Sequence, residues 1–539
     1  MSASSKKKLR NAEQAEKLTE KQLAAQKEAK KLKLYTTLAV VILIALVVFA
    51  AYVGISRTIA NSGIRERNTV ALTIGEETIS NAEFSYFFVA AVNEFYNQYG
   101  SYASILGLDT TKPLNEQVLN EETGETWADD FINVAIENAK ATYAIAAEAK
   151  ANGFTLPEEA VSEIDGTMST MEMYATLYGY SDVDAYLKAV YGNGSSEEGL
   201  RAYYELTELA RYYQNHYYDS LTYDDADLRA AEAENYNEYS SYNYNYYYLN
   251  VLDFIEGEST EYTAEQRADA TKKAEEAAKS LTDGITTVEA FDAAIAALPI
   301  NAENTTAASY ASTNASYGSI YAGYADWVTD DSREAGNMTY VASTSTTTDD
   351  SGKETEQING YYVVMFNSSN DNNFAMSNVR HILVTPEGGT YNSTTGLYDY
   401  SDDEKAAAYE EAVAILNEWK SGDATEDSFA ALANEKSEDG DGTTGGLYED
   451  INPSTSFVTS FKDWALADHE AGDTEIVWSE YGYHIMFYSG DSETTYRDYL
   501  ISTELANNDY NAWYTALTEA LSVDEGSFEH IRTDLTLSA

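Results

Sequence analysis

Asn-Val-Arg-His-Ile-Leu-Val at 378–384 and Tyr-Gly-Tyr-His-Ile-Met-Phe at 481–487 are the two stretches whose reading decides the fold. Each is apolar, carries β-branched residues and is bounded by polar or Pro/Gly-containing segments, so each predicts a β-strand. They hold His381 and His484, two of the five histidines in the chain. Histidines in neighbouring strands can face one surface whatever their distance in sequence.

Working outward, 539 residues are too many for one ordinary domain and suggest roughly three or four. A hydrophobic fraction of 44% is ample for their cores. The net charge of -57 is unevenly placed. Residues 1–33 carry ten Lys/Arg against four Asp/Glu, whereas the other 506 carry 23 basic and 86 acidic side chains. So acidic a body would repel a phosphate backbone, which argues against nucleic acid as a partner. The absence of cysteine excludes disulfides, cysteine nucleophiles and thiolate metal sites.

Residues 34–55 form a run of 22 without a charge, long enough to cross a bilayer as a helix. Tyr35 and Tyr52 lie near its ends, where amphipathic rings prefer to sit. Lys27, Lys30, Lys31 and Lys33 on its N-terminal flank predict a single-pass plasma-membrane protein with residues 1–33 as a basic cytoplasmic tail and the acidic body outside. A cleaved signal peptide is the weaker reading, because the run exceeds a usual signal core and no small-x-small cleavage site follows directly.

After a linker at 56–69, Val70 to Phe84 predicts a strand, a Gly-Glu turn and a second strand, then a helix capped by Ser80 or Asn81. Helices are predicted over Trp127–Ala151, with Asn152-Gly153 as a C-cap, from Glu158 after Pro157, from Ser181 and from Ser195. Residues 70–241 are therefore mostly helical. Their aromatics read as core by default, with a groove for unfolded chains as the other option. Residues 203–248 contain 14 tyrosines, and the alternation from Tyr242 to Val251 predicts entry into a strand rather than low complexity.

The chain also matches itself. Tyr247 to Val251 corresponds to the first histidine strand. Ala264–Ser280 corresponds to Glu404–Trp419, and Phe291 to Phe429. Trp327 before Arg333-Glu-Ala-Gly336 parallels Trp464 before His469-Glu-Ala-Gly472. Tyr361-Tyr-Val-Val-Met-Phe366 laid on Gly482-Tyr-His-Ile-Met-Phe487 places Val363 at the position of His484, and a tyrosine falls near that of His381. Two copies are therefore expected, at 242–368 and 376–489, the first without histidines and with a polar Ser/Thr/Asp insertion at 342–357.

Arg380-His381-Ile382-Leu383-Val384, Phe429-Ala-Ala-Leu-Ala433, Ser437-Glu-Asp439 leading to Gly445-Gly446-Leu447, Phe457-Val458 with Phe461, and Tyr481-Gly-Tyr-His484-Ile485 together resemble the parvulin-type peptidyl-prolyl isomerases, also called PpiC-type rotamases. The match runs over roughly 110 residues in the family's order. With the apolar run and the helical region, the whole chain resembles the membrane-anchored extracytoplasmic foldases and chaperones of the bacterial SurA/PrsA family. The resemblance implies an α+β multidomain protein: an N-terminal transmembrane helix, a mostly helical chaperone-like domain at 70–241, and two tandem parvulin-like domains, each a small antiparallel sheet with surrounding helices, the first degenerate. Residues 490–539 would form a C-terminal helical segment able to return to the N-terminal domain.

The same resemblance assigns His381, Asp439, Ser479 and His484 to the catalytic cluster. It assigns Leu447, Phe457 and Phe461 to the proline pocket, with no cofactor and no metal. Partners would be unfolded or partly folded secreted polypeptides containing X-Pro bonds, and the membrane through 34–55. A homodimer is an option left open. The chain departs from the family at Gly446-Leu447-Tyr448, where Gly-Gly-x-Leu-Gly is common, and in an insertion from Pro386 to Asp402. Three other readings of the cluster stand beside this one: a His/His/Asp metal triad, a pair of hydrogen-bonded core histidines, and a non-catalytic chaperone or scaffold.

Overall fold

The computed structural model describes residues 4–11, 27, 31, 33, 42–54, 61–255, 262–304, 306–348, 354–440 and 442–537. The expected crossing segment, 34–55, lies partly outside these residues; 42–54 are helical. Among the described residues no helix is long and apolar enough to cross a membrane. Most of the basic tail also falls outside them, apart from a helical stretch at 4–11. The described chain divides into two compact units, 1–221 with 509–539, and 222–508.

The first unit opens with strands β1 (Val70–Ile74) and β2 (Glu77–Ser80), turned at Gly75 in the left-handed region. Ser80 and Glu83 form a reciprocal capping box that starts the helix Asn81–Tyr99. A small hairpin of β3 (Val118–Asn120) and β4 (Glu125–Thr126) precedes the helix Trp127–Ala151. Helices Glu158–Leu177, Val183–Tyr191 and Glu197–Ser220 follow. The core holds Leu72, Phe84, Phe88, Phe131 and Ala135, and Ile531 from the end of the chain joins it. The strand Val523–Glu525 pairs antiparallel with β1. Trp513, in the last helix, stacks on Tyr217 with ring centres 4.1 Å apart.

The second unit contains two four-stranded antiparallel sheets. The first is built from β5 (Ser241–Asn250), β6 (Tyr310–Ser316), β7 (Met338–Thr348) and β8 (Glu354–Asn370), in the order β6-β5-β8-β7. β9 (Ala375–Val384) opens the second module. A hairpin of β10 (Thr390–Asn392) and β11 (Leu397–Asp399) occupies the Pro386–Asp402 insertion. β12 (Leu447–Ile451), β13 (Thr474–Ser479) and β14 (Gly482–Thr495) complete the second sheet, in the order β12-β9-β14-β13. The two orders are the same when strands are counted from the start of each module. Each module places two helices between its first and second strands, Ala264–Thr282 with Val288–Ala296 and Asp402–Ser421 with Glu426–Lys436. Each also places one short helix before its third strand, Ala322–Val328 and Thr459–Ala465.

Packing explains the nearly continuous apolar run of 382–384. β9 is a central strand covered on both faces, so its alternation of polar and apolar residues is lost. On one face Ile382, Val384, Ile485 and Phe487 meet Ala408, Ala412, Trp419 and Phe429 of the two helices. On the other, Val379, Met486 and Tyr488 meet Phe461, Trp464 and Ala465 of the short helix. The first module repeats this arrangement. Leu249, Val363 and Met365 pack on Ala270, Ala274, Ala278 and Phe291, while Val364 and Phe366 face Tyr324, Ala325 and Val328.

These contacts correct the residue-by-residue match between the modules. Gly336 N–H donates to the Phe366 carbonyl and Gly472 N–H donates to the Tyr488 carbonyl, both in the same loop. Phe366 therefore corresponds to Tyr488 rather than to Phe487, and Tyr362 rather than Val363 takes the position of His484. A shift of one residue in a strand moves every side chain to the other face, and Val363 faces the helix pair. By the strand register, Tyr246 takes the position of His381. Gly360 and Gly482 also coincide. A Cβ on Gly482 would lie 2.5 Å from the Val384 carbonyl oxygen, and one on Gly360 would lie 2.4 Å from that of Leu249. The 342–357 insertion lengthens the hairpin that joins β7 to β8.

Candidate active site

The site lies on the face of the second sheet that carries Phe461. In β9 and β14, His381 stands opposite Met486 and His484 opposite Leu383, so both imidazoles share one face of two adjacent strands. Both are buried, His381 to 3% exposure and His484 to 5%. Their Nδ1 atoms are 3.1 Å apart, with ring centres at 5.2 Å and planes 28° from parallel.

His381 Nε2 lies 2.8 Å from Asp439 Oδ2, and His484 Nε2 lies 2.7 Å from Ser479 Oγ. Tyr448 Oη donates to the same Asp439 oxygen at 2.9 Å, and the Tyr481 N–H donates to Ser479 Oγ at 3.1 Å. With one proton on each imidazole, assigned from this pattern, the chain is fully satisfied. His381 Nε2–H donates to Asp439, His484 Nδ1–H donates to His381 Nδ1, and the Ser479 hydroxyl donates to His484 Nε2.

The electrostatics agree with that assignment. Burial first, and then the neighbouring His381, push the His484 imidazole down to about 4, so it is neutral near pH 7. The hydrogen bond from His381, helped by that from Tyr448, holds the Asp439 carboxyl down at about 2. Burial, together with the carboxylate beside it, raises the Tyr448 phenol to about 12. Asp439 is therefore the fixed negative charge of the cluster, and it is held partly exposed.

Each element is positioned by local chemistry. Asp439 follows the helix Glu426–Lys436, where Ser437 Oγ accepts from Leu383 N–H at 3.0 Å and from Asp439 N–H at 3.2 Å. Glu438 N–H in turn donates to the Leu383 carbonyl. The segment that carries the carboxylate is thus clamped to β9. Gly446, at φ +66°, lets the turn approach β9: its carbonyl accepts from His381 N–H, and a Cβ there would lie 2.2 Å from the His381 oxygen. Arg380 holds the same turn through the Thr444 and Gly445 carbonyls and pairs with Glu426.

The apolar part of the site is aromatic. Phe461 meets His381 edge-on at 5.1 Å and His484 at 5.4 Å. Phe457 lies 4.9 Å from Phe461 and 5.0 Å from Tyr448. The structure thus brings together His381, Asp439, Ser479, His484, Phe457 and Phe461. It does not bring Leu447 to them. Leu447 pairs with Arg380, on the opposite face of the sheet, and Tyr448 takes its place beside the histidines. The alternation along β12 decides this, and counting on from Gly446 without the strand register misses it. The imidazoles use both ring nitrogens on each other, on Asp439 and on Ser479, which leaves no lone pair directed at a metal ion and disfavours the triad reading.

Residues 381–489 match the family model Rotamase, described as PPIC-type PPIASE domain. The chain therefore carries a PPIC-type, parvulin peptidyl-prolyl isomerase domain over these residues. Among solved structures, a peptidylprolyl isomerase (PrsA) from Bacillus cereus is 27% identical. The match covers 28% of this chain and 50% of that one, with a TM-score of 0.18. The chain thus spans about half the length of that protein. No curated protein gives a significant match.

Proposed function

We propose that the chain is a peptidyl-prolyl cis-trans isomerase and a foldase for exported or cell-surface polypeptides, held at the plasma membrane through 34–55 with residues 1–33 in the cytoplasm. The observation that supports the activity is the hydrogen-bonded chain Tyr448–Asp439–His381–His484–Ser479 lying against Phe457 and Phe461 within a PPIC-type domain.

The reaction requires no nucleophile. Amide resonance sets a barrier of roughly 18–20 kcal/mol to rotation about X-Pro, and a catalyst has only to bind the twisted amide better than either planar form. In this site Phe457, Phe461 and Tyr448 hold the proline ring by apolar contact. The buried imidazoles keep the floor rigid and dry, so the dipoles around the rotating carbonyl act in low dielectric. Both histidines have their ring nitrogens engaged, so their role is to organise the cluster rather than to attack the substrate. The first module, which has the strand order without the imidazoles, is read as a copy without activity. The reading of membrane attachment rests on the uncharged run of 22 residues and its basic flank.

The deciding experiment measures cis/trans exchange of a proline peptide by NMR, with detergent-solubilised full chain and with the chain carrying His381→Ala and His484→Ala. Acceleration by the wild type that is lost in the double variant is the expected result. Equal rates would reject catalysis and leave a non-catalytic chaperone or scaffold, the reading that the histidine-free first module favours. Attachment is checked separately: deletion of 34–55 should move the protein from the membrane to the soluble fraction.

A further inference from the structure

The first module has aromatic rings where the second has its isomerase cluster. Tyr362 stands in place of His484 and Tyr246 in place of His381, with ring centres 6.1 Å apart. The short helices align as Ala-Gly-Tyr324-Ala-Asp-Trp327-Val and Thr-Ser-Phe461-Lys-Asp-Trp464-Ala. Tyr324 therefore stands where Phe461 does, and it meets Tyr362 edge-on at 5.6 Å, as Phe461 meets His484 at 5.4 Å. Even the neighbouring stacking recurs, with Arg333 over Trp327 and His469 over Trp464. Tyr321 and Tyr248 close on Tyr362 at 4.9 and 4.6 Å, and Tyr310 lies 5.7 Å from Tyr246.

Burial differs across this cluster in a way that suits a binding site. Tyr324 is buried and supports the others, Tyr246, Tyr248 and Tyr362 are half-buried, and Tyr321 and Tyr310 are exposed at 40% and 64%. Burial raises the Tyr324 and Tyr362 phenols, so at neutral pH these rings are uncharged. What the strands and the short helix present together is a set of aromatic π-faces on the face that corresponds to the proline site. Rigid tyrosines give contact area at low entropic cost, and aromatic-lined grooves suit extended proline-containing segments, whose conformation is already restricted.

We propose that Tyr246, Tyr248, Tyr310, Tyr321, Tyr324 and Tyr362 form a second, non-catalytic site that binds an extended, proline-containing segment of an unfolded polypeptide. This rests on the reading that the corresponding face of the second module takes proline. The site holds its ligand by ring stacking and, with phenols in place of the imidazole pair, does not turn it over.

The test uses the full chain and a short alanine-based peptide with one central proline and a photoreactive benzoylphenylalanine beside it. A second peptide has alanine in place of the proline. Crosslinks are mapped by mass spectrometry while isomerisation is followed on the same samples. The expected result is proline-dependent crosslinking to 241–370 as well as to 375–489. Tyr310→Ser with Tyr321→Ser should lower the first yield about tenfold and leave the second and the isomerase rate unchanged. The proposal is overturned if 241–370 gives no crosslinks, if the alanine peptide labels it equally, or if the tyrosine variant labels as the wild type does. Absence of isomerisation with tyrosine-dependent labelling intact would instead overturn the catalytic reading and leave this site standing.

Discussion

His484 is the residue on which the chemistry of the cluster turns, because its protonation state fixes the direction of every hydrogen bond from Asp439 to Ser479. Burial lowers it to about 4 in the fold, against an ordinary value of 6.5, so the unfolded chain binds its proton first as pH falls. The stability it contributes is complete above about pH 6.5 and is lost progressively between 6.5 and 4, amounting to ~3 kcal/mol at the acid end. Asp439 acts in the same direction lower down, since its folded value of about 2 lies below the ordinary 3.8 and its contribution fades between those two values. Isomerase activity should therefore be flat from pH 7 to about 5 and fall as pH approaches 4; a rate that falls already at pH 6.5 would show that His484 titrates normally. A second residue-scale expectation concerns Tyr448. Tyr448→Phe removes a hydrogen bond to an ionised, partly exposed carboxylate, so Asp439 should titrate higher and the rate should drop by less than about tenfold, with the urea midpoint nearly unchanged. NMR titration of Asp439 together with the exchange assay reads both effects.

Among the elements, the last strand of each sheet holds a glycine with no room for a side chain, Gly360 within β8 and Gly482 at the turn from β13 into β14. Gly482 and Gly360 each bring the backbone against a carbonyl of the neighbouring strand. Gly482→Ala and Gly360→Ala should each cost about 2 kcal/mol or more, read from urea unfolding of the full chain. Gly482→Ala should in addition lower isomerase activity, because Ser479 and His484 flank that turn, whereas Gly360→Ala should leave it intact. The start of the last helix, Tyr496–Glu519, makes a different demand. Arg497, 2% exposed, reaches Glu232 at 2.5 Å, the Asp371 carbonyl at 2.7 Å and the Tyr236 carbonyl at 3.1 Å, and lies over the Tyr236 ring. It ties the segment before β5 and the link between the sheets to this helix. Arg497→Ala takes a donor from two carbonyls and leaves Glu232 with Arg229 as its remaining partner, and should cost about 2–3 kcal/mol.

At the scale of the whole molecule, one strand order appears twice with opposite chemical content. The first copy keeps what the fold requires: a glycine at 360, a serine at 343 beside it and an Asp-Trp pair in the short helix. It replaces the two imidazoles with Tyr246 and Tyr362. A full chain with His381→Ala and His484→Ala should thus lose all measurable turnover although the first sheet is untouched, and any residual proline-specific acceleration would count against a silent copy.

The resemblance to the parvulin-type isomerases grouped His381, Asp439, Ser479 and His484, while the sequence by itself determined the two histidine strands, a helix cap at Ser80 or Asn81, the C-cap at Asn152-Gly153 and the existence of a repeat. These follow from local periodicity, capping chemistry and motif order, which a linear chain displays. It misplaced Leu447 and aligned Val363 with His484, both by one residue. Val363 lies in a central strand whose two faces are both filled by apolar and aromatic side chains, so alternation leaves no mark there, and Leu447 opens the edge strand β12, whose register comes from its pairing with β9. Only the tertiary structure decided that Tyr448 ends the hydrogen-bonded chain, that both imidazoles are protected from water, and that the tyrosines of 246–362 converge where the second module places its histidines. Apart from the Tyr448–Asp439 bond, which joins residues 9 apart, those facts depend on contacts such as His381–Asp439 and His381–His484, 58 and 103 residues apart, which no local pattern encodes.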